Sequence, residues 1–153
     1  MLLKPGRLDD EEFKIMKTHS VKGDVVLLET NKKILIIDDD PNLRRMMELK
    51  FKKQGYHVIL ARNGEEGLDL IKTQQPDAVI TDLNMPKLDG KTLCEQTNYL
   101  KKERPFLTII VTGQISSDEK KWISEMLDTE VMLKPFSPTN LLNQVEKYFN
   151  RDY

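Results

Sequence analysis

The stretch KILIIDDDPN, residues 33–42, sets an apolar segment directly before three consecutive carboxylates, Asp38, Asp39 and Asp40. A run of branched aliphatic residues is typical of a strand that is buried on both faces of a sheet. Carboxylates at this spacing raise one another's pKa unless a positive charge lies close to them. The stretch therefore predicts a buried strand that ends beside a site for a cation.

From Lys33 onward, short apolar runs alternate with amphipathic segments, which is typical of a parallel sheet with crossover helices. All predicted strands except the second are nearly all apolar, as expected where helices cover both faces of the sheet. We therefore expect a doubly wound α/β domain with five strands and five helices. The predicted strands are residues 34–37, 57–60, 78–81, 107–112 and 131–133. The predicted helices are residues 42–54, 65–73, 91–101, 118–127 and 138–149.

The last two predicted helices begin at recognisable capping residues. Ser116 followed by Glu119 is a capping box before the fourth helix. Ser137 and Pro138 supply an N-cap and a first-turn proline for the fifth helix. These signals support the predicted order of strands and helices.

Composition limits the classes of protein to consider. A chain of 153 residues with 39% hydrophobic content can bury one sizeable core, so we expect one main domain. Its 24 Lys and Arg against 25 Asp and Glu give no basic field for nucleic acid or anionic lipid. Cys94 is the single cysteine and cannot form an internal disulfide. The sequence has no apolar stretch for a bilayer or a secretory signal, so we expect a cytoplasmic protein.

Polar residues follow four of the predicted strands at the edge where ligands bind in doubly wound sheets. Asp38 and Asp39 follow the first strand, and Asp82 follows the third. Thr112 ends the fourth strand, and Lys134 follows the fifth. Each residue alone has an ordinary structural explanation. Their convergence on one edge predicts a functional site.

The chemistry of these residues favours phosphoryl transfer. Asp38, Asp39 and Asp82 offer the hard oxygen ligands that suit Mg²⁺, which retains waters that a phosphate can replace. A carboxylate can act as the nucleophile and form an aspartyl phosphate. Mg²⁺ and Lys134 would offset the charge of the transferred group, and Thr112 can donate its hydroxyl to a phosphoryl oxygen.

Four motifs, IIDDDPN, ITDLNMPKLDG, IIVTG and LKPF, resemble the signatures of the receiver domain of two-component response regulators, over residues 33–150. The resemblance implies a flavodoxin-like, CheY-like fold with strand order 2-1-3-4-5, and residues 31–153 as the receiver domain. It implies that Asp82 accepts phosphate from a sensor histidine kinase or a phosphotransfer protein. Thr112 and Lys134 would be the switch hydroxyl and the lysine that pairs with the phosphate.

The resemblance also implies a metal site. The sequence differs from the family pattern at two places. Mg²⁺, or Mn²⁺ in its place, would be held by Asp38, Asp39, Asp82 and the backbone carbonyl of Asn84. Asp40 is not a usual ligand and is interpreted as a carboxylate at a helix start. Val131 stands where the family often has Tyr or Phe, and residues 126–130 replace its usual Gly-Ala pair.

Residues 1–30 break the alternation, and Asp9 with Glu12 is typical of a capping box that opens a short helix. Residues 2–23 resemble an internal stretch of the HD-GYP phosphodiesterases of cyclic di-GMP, in which the position of His19 is a metal ligand. The other motifs of that family are absent from the sequence, and one histidine cannot hold a dinuclear metal centre. We expect residues 1–30 to be a helical extension without catalytic activity.

A phosphatase of the haloacid dehalogenase type is the main alternative. Such enzymes also use an aspartate nucleophile and Mg²⁺, and Asp38 with Asp40 mimics their DxD motif. Asn42 stands where they carry Thr, and Asp82 with its NMPKLDG sequel would have no purpose. A phosphodiesterase fragment is a further alternative that lacks the ligands. We therefore expect no enzyme beyond self-phosphorylation and autodephosphorylation.

The sequence stops at Tyr153, shortly after the fifth predicted helix, and we expect no effector domain. Output would then be phosphorylation-dependent binding of an unknown downstream protein, through the fourth helix, fifth strand and fifth helix. The apolar side chains of residues 1–30 would be buried on the receiver or across a homodimer.

Overall fold

The computed structural model describes residues 31–85 and 87–151. The predicted helical extension over residues 1–30, including the phosphodiesterase-like stretch and His19, lies outside the described residues. Within them the chain alternates strands and helices, as predicted. The strands are β1 Lys33–Ile37, β2 His57–Ala61, β3 Ala78–Asp82, β4 Leu107–Thr112 and β5 Thr129–Leu133. The helices are α1 Pro41–Lys53, α2 Gly64–Gln74, α3 Gly90–Thr97, α4 Leu100–Glu103, α5 Ser117–Ser124 and α6 Pro138–Phe149.

The five strands form one parallel sheet in the order β2-β1-β3-β4-β5, which confirms the predicted fold. β1 therefore lies inside the sheet, and Ile34, Leu35, Ile36 and Ile37 are all buried. Burial of each such side chain contributes about 1.5–3 kcal/mol to folding. The apolar run before the three carboxylates is thus a central strand.

The core has a layer on each face of the sheet. On one face Ile34 and Ile36 pack in a cluster with Phe51 of α1 and Leu141 of α6. On the other face Leu35 and Ile37 pack in a cluster with helices α2 and α3, including Ile71 and Leu93. The alternation of β1 residues between the faces explains why the strand has no polar side.

A third cluster lies between α3, β4 and α5 and contains Cys94, Trp122 and Ile123. Cys94 is buried, and burial raises the pKa of its thiol to about 12, which favours a core role over a reactive thiol. Trp122 and Ile123 of α5 are buried in this cluster. Leu127, in the connection from α5 to β5, is 40% exposed.

The number of helices differs from the prediction, because the expected third helix is divided into α3 and α4. Between them the Lys101 N–H donates to Asn98 O at 3.2 Å, and the Lys102 N–H donates to Tyr99 O at 3.3 Å. These bonds span three residues and form a tighter turn than an α-helix. The Asn98 side chain accepts from the Leu127 N–H at 2.9 Å, which holds this turn against the chain before β5.

Lys101 is a buried lysine that joins α4 to the start of β5. Its side chain is 4% exposed. Nζ donates to Leu127 O at 2.6 Å, Asp128 O at 3.1 Å and Thr129 Oγ1 at 3.2 Å. It also lies 4.8 Å from the centroid of the Phe106 ring. This one ammonium group therefore satisfies several oxygen acceptors at the turn before β5.

The predicted caps are confirmed. Asp40 is the N-cap of α1, and its Oδ1 accepts from Asn42 N at 2.9 Å. Ser116 and Glu119 form the capping box of α5. Ser137 caps α6, which begins at a proline. No helix in the described part of the chain is long and apolar enough to cross a membrane.

Candidate functional site

The register of the parallel strands brings the predicted site residues to one edge of the sheet. Asp82 is the last residue of β3 and pairs in register with Val111. Thr112 is the last residue of β4 and pairs with Leu133. Asp38 follows β1 directly, and Lys134 follows β5 directly. These four residues, with Asp39 as the fifth predicted residue, therefore lie at the carboxyl edge, as expected for a doubly wound sheet.

Asp38, Asp39 and Asp82 form an acidic cluster. One carboxylate oxygen from each residue lies within 4.8 Å of the others. Asp38 is buried, Asp82 is half-buried and Asp39 is exposed, so the cluster opens to solvent on one side. Divalent hard cations are bound by a few carboxylates and keep several waters. The arrangement of these oxygen donors fits such an ion.

Asp38 makes two hydrogen bonds that involve backbone N–H groups. Its N–H donates to Ala61 O at 3.2 Å, and its Oδ1 accepts from the Asp40 N–H at 2.8 Å. Burial raises the pKa of the Asp38 carboxyl, and the hydrogen bond from the Asp40 N–H lowers it. The charges of Asp82 and Asp39 raise this pKa further, whereas the charge of Lys134 lowers it. The neighbouring carboxylates therefore raise this carboxyl pKa, as expected, although desolvation is the larger cause.

Lys134 and Asp82 form the ion pair of the site. Lys134 Nζ lies 3.3 Å from Asp82 Oδ2, and the Lys134 N–H donates to Thr112 O at 2.8 Å. The other carboxylate oxygen, Asp82 Oδ1, accepts from the Asn84 N–H at 3.4 Å. The Asp82 carboxylate is therefore oriented between an ammonium group and a backbone amide, next to the other two carboxylates.

Thr112 lies at the predicted position, but its hydroxyl is engaged elsewhere. The side chain is buried, and Oγ1 donates to Gln114 O at 3.1 Å. No local sequence pattern indicates this contact. It closes the turn that follows β4 and leads to α5.

Val131, which replaces the usual aromatic residue, is partly buried against the cluster of Ile110 and Trp122. It pairs in register with Ile110. The side chain is thus part of the packing between β5 and α5.

Two residues that support the site were missed from the sequence, Gly90 and Arg44. A Cβ on Gly90 would lie 2.6 Å from Asp82 O and 2.9 Å from Leu83 Cα. Only glycine lets the start of α3 approach the end of β3 so closely. The dipeptide Asp-Gly at a predicted helix start was the available signal. Arg44 NH1 donates to Asp38 O at 2.7 Å, and nothing in the local sequence pattern indicates that contact.

The phosphatase alternative requires Asp38 and Asp40 to act together. Asp40 instead uses Oδ1 to accept from the Asn42 and Leu43 N–H groups at the start of α1. Its side chain therefore serves as a helix cap, and the residue that joins Asp38 and Asp39 is Asp82.

The fold and the site define a class, the doubly wound α/β domains with an acidic pocket and a lysine at the carboxyl edge of the sheet. The sequence model of the family described as response regulator receiver domain matches residues 34–146. The chain therefore belongs to the response regulator receiver domain family of two-component signalling. This confirms the resemblance of its four motifs.

Curated relatives agree with this assignment. The chain is 34% identical over 121 residues to the alkaline phosphatase synthesis transcriptional regulatory protein PhoP of Bacillus subtilis, covering 79% of this chain and 50% of that protein. It is 34% identical over 124 residues to the probable transcriptional regulator ycf27 of Guillardia theta, covering 81% of this chain and 48% of that protein. The chain spans about half the length of these relatives, so the absence of an effector domain stays a prediction.

Solved structures show the same fold. The chemotaxis protein CheY4 of Vibrio cholerae matches with a TM-score of 0.70 and 25% identity, over 77% of this chain and 98% of that one. A CheY-like response regulator receiver domain protein of Methanospirillum hungatei matches with a TM-score of 0.71 and 27% identity, over 80% of this chain and 96% of that one. The receiver core is thus CheY-like over most of the chain.

Proposed function

We propose that Asp82 accepts a phosphoryl group from a sensor histidine kinase or a phosphotransfer protein, in a Mg²⁺-dependent reaction. The observation that carries the proposal is the setting of its carboxylate. Asp82 Oδ2 lies 3.3 Å from Lys134 Nζ, and an Asp82 oxygen lies within 4.8 Å of oxygens of Asp38 and Asp39. A nucleophile for phosphoryl transfer needs cations around the transferred group, and this pocket has one fixed cation and ligands for another.

In the proposed step an Asp82 oxygen forms a bond to phosphorus while the bond from phosphorus to the donor histidine nitrogen breaks. The electron pair of the broken bond stays on that nitrogen, which then takes a proton from solvent. Asp38, Asp39, Asp82 and the carbonyl of Asn84 would hold Mg²⁺, or Mn²⁺ in its place. The ion, when bound, would neutralise charge on the phosphoryl oxygens.

Lys134 and Thr112 would respond to the new group. Lys134 is already paired with Asp82 and would move its ammonium to a phosphoryl oxygen. Thr112 would have to give up its hydrogen bond to Gln114 O in order to donate to the phosphoryl group. Loss of that bond would free the turn that precedes α5, and so connect the site to a distant surface.

The proposed output is phosphorylation-dependent binding of another protein. The candidate surface is formed by α5, β5 and α6. Leu127 and Leu133 give this surface exposed apolar area, at 40% and 51% exposure. A downstream protein or a second copy of this chain would bind to this surface. The chain itself would work in the cytoplasm, where ATP-dependent kinases supply the phosphoryl group. Catalysis beyond self-phosphorylation and autodephosphorylation is not part of the proposal.

The test is intact-mass analysis after incubation with acetyl phosphate and Mg²⁺. The wild-type protein should gain the mass of one phosphoryl group, and EDTA should prevent the gain. Asp82→Asn should gain nothing, whereas Asp69→Asn, which changes an exposed carboxylate of α2, should behave like the wild type. A phosphoryl group on the Asp82→Asn protein would contradict the assignment.

A further inference from the structure

Arg44 of α1 contacts the backbone of the acidic pocket. Its NH1 donates to Asp38 O at 2.7 Å, and the side chain is half-buried. A bond of this length from a guanidinium group is strong, because the donor is charged. Arg44 is held in turn by the first turn of α1, where its N–H donates to Asp40 O at 2.9 Å.

The Asp38 carbonyl belongs to the same planar peptide unit as the Asp39 N–H. A bond that fixes this carbonyl therefore fixes the plane from which the Asp39 side chain departs. Within residues 31–85 and 87–151, the Asp39 carboxylate has no hydrogen-bond or ion-pair partner of its own. With no partner to orient it, the positions that this carboxylate can reach are set by its rotamers and by the backbone from which they depart. Asp38 differs, because its own carboxylate accepts from the Asp40 N–H.

We propose that Arg44 is a positioning residue for the divalent ion: by holding the Asp38 carbonyl it sets the Asp38–Asp39 peptide so that both carboxylates face Asp82. The inference rests on the proposed metal site. Residues that orient metal ligands through hydrogen bonds typically change metal affinity about 10–100-fold when they are replaced. Arg44 would act in this way although it contacts no carboxylate oxygen of the cluster.

Arg45 is a matched control for Arg44. It is the next residue of the same helix and carries the same charge. Its side chain is 68% exposed and lies 3.5 Å from Glu48 Oε1 rather than against the β1–α1 turn. Replacing either arginine by methionine keeps the aliphatic stem and removes one positive charge. A difference between the two variants therefore reports the bond to Asp38 O and not the loss of charge.

The experiment titrates Mg²⁺ by isothermal calorimetry into the wild type, R44M, R45M and R44K, each checked for folding by circular dichroism without metal. The carbonyl carbon resonance of Asp38 is measured by NMR in the same metal-free samples. We expect R44M to bind Mg²⁺ at least about tenfold more weakly with a shifted Asp38 resonance, and R45M to stay within about twofold of wild type. R44K keeps a charged donor on a side chain that is one atom shorter, and it should recover Mg²⁺ affinity to the extent that it recovers the Asp38 resonance.

Three results would overturn the positioning role. The first is equal affinity of R44M and wild type, and the second is equal weakening in R44M and R45M. The third is an R44K protein whose Asp38 resonance returns to the wild-type position while its affinity does not. Failure of the wild type itself to bind Mg²⁺ would instead refute the proposed metal site, so the two ideas fail separately.

Discussion

The buried lysine of α4 should make stability depend on alkaline pH. Burial lowers the pKa of Lys101 from 10.5 to about 8, because the charged form loses its hydration. The unfolded chain therefore keeps this proton up to about pH 10.5, while the folded chain releases it near pH 8. Between these values the unfolded state binds more protons, so the free energy of unfolding from this group rises with pH. Below about pH 8 the buried charge costs stability.

The size of the effect follows from the two pKa values. A separation from 10.5 to about 8, at about 1.4 kcal/mol per pH unit, corresponds to roughly 3 kcal/mol in the free energy of unfolding. Lys101→Met lacks the titrating group and should lack this increase. At a single pH the variant also lacks the hydrogen bonds from Lys101 Nζ to the Leu127 and Asp128 carbonyls, which costs stability by itself. The diagnostic quantity is therefore the slope with pH and not one value.

Urea unfolding at several values between pH 7 and pH 10.5 measures this slope. We expect the difference in free energy of unfolding, wild type minus Lys101→Met, to increase by roughly 3 kcal/mol from pH 7 to pH 10.5. Burial also raises the pKa of Tyr56, but that contribution is common to both proteins and cancels in the difference. Lys102→Met, which removes the exposed neighbouring lysine, should show no such divergence. Parallel curves for wild type and Lys101→Met would refute the reasoning.

Three further predictions concern the site and the helices around it. Mg²⁺ at about 100 times its dissociation constant should raise the free energy of unfolding by roughly 2.7 kcal/mol, and an unchanged thermal midpoint would argue against the metal site. Gly64→Ala should destabilise by about 2–3 kcal/mol in urea, because its Cβ would lie 1.9 Å from Leu88 O. Gly113→Ala is the control, since a Cβ there meets nothing within 4 Å, and a similar loss would contradict the steric argument. Ser116→Ala should cost about 1 kcal/mol through loss of the α5 cap, while an equal loss in Ser117→Ala would show that the cap is not the cause.

Local sequence patterns were enough to predict the strands and the residues at the carboxyl edge of the sheet. The unbroken apolar run of β1 predicts a strand buried on both faces, and Ile34 to Ile37 are buried. The ends of parallel strands meet at one edge, so Asp38, Asp82 and Lys134 could be grouped before any distance was known. Caps at Ser116 and Ser137 were also predictable, because they depend on residues only a few positions apart.

Other features depended on contacts between residues far apart in the sequence. Lys101 lies in the charged run KKER at the end of a predicted helix, but the turn before β5 covers its side chain and supplies its acceptors. In the same way, the bond from Thr112 to Gln114 O and the bond from Arg44 to Asp38 O depend on side-chain rotamers that no periodicity specifies. The sequence by itself determined which residues reach the carboxyl edge, because each of them ends or follows a predicted strand and parallel strands end at the same edge. Only the tertiary structure decided how each side chain there is held, because burial and hydrogen-bond partners come from elements that pack together after the chain has folded.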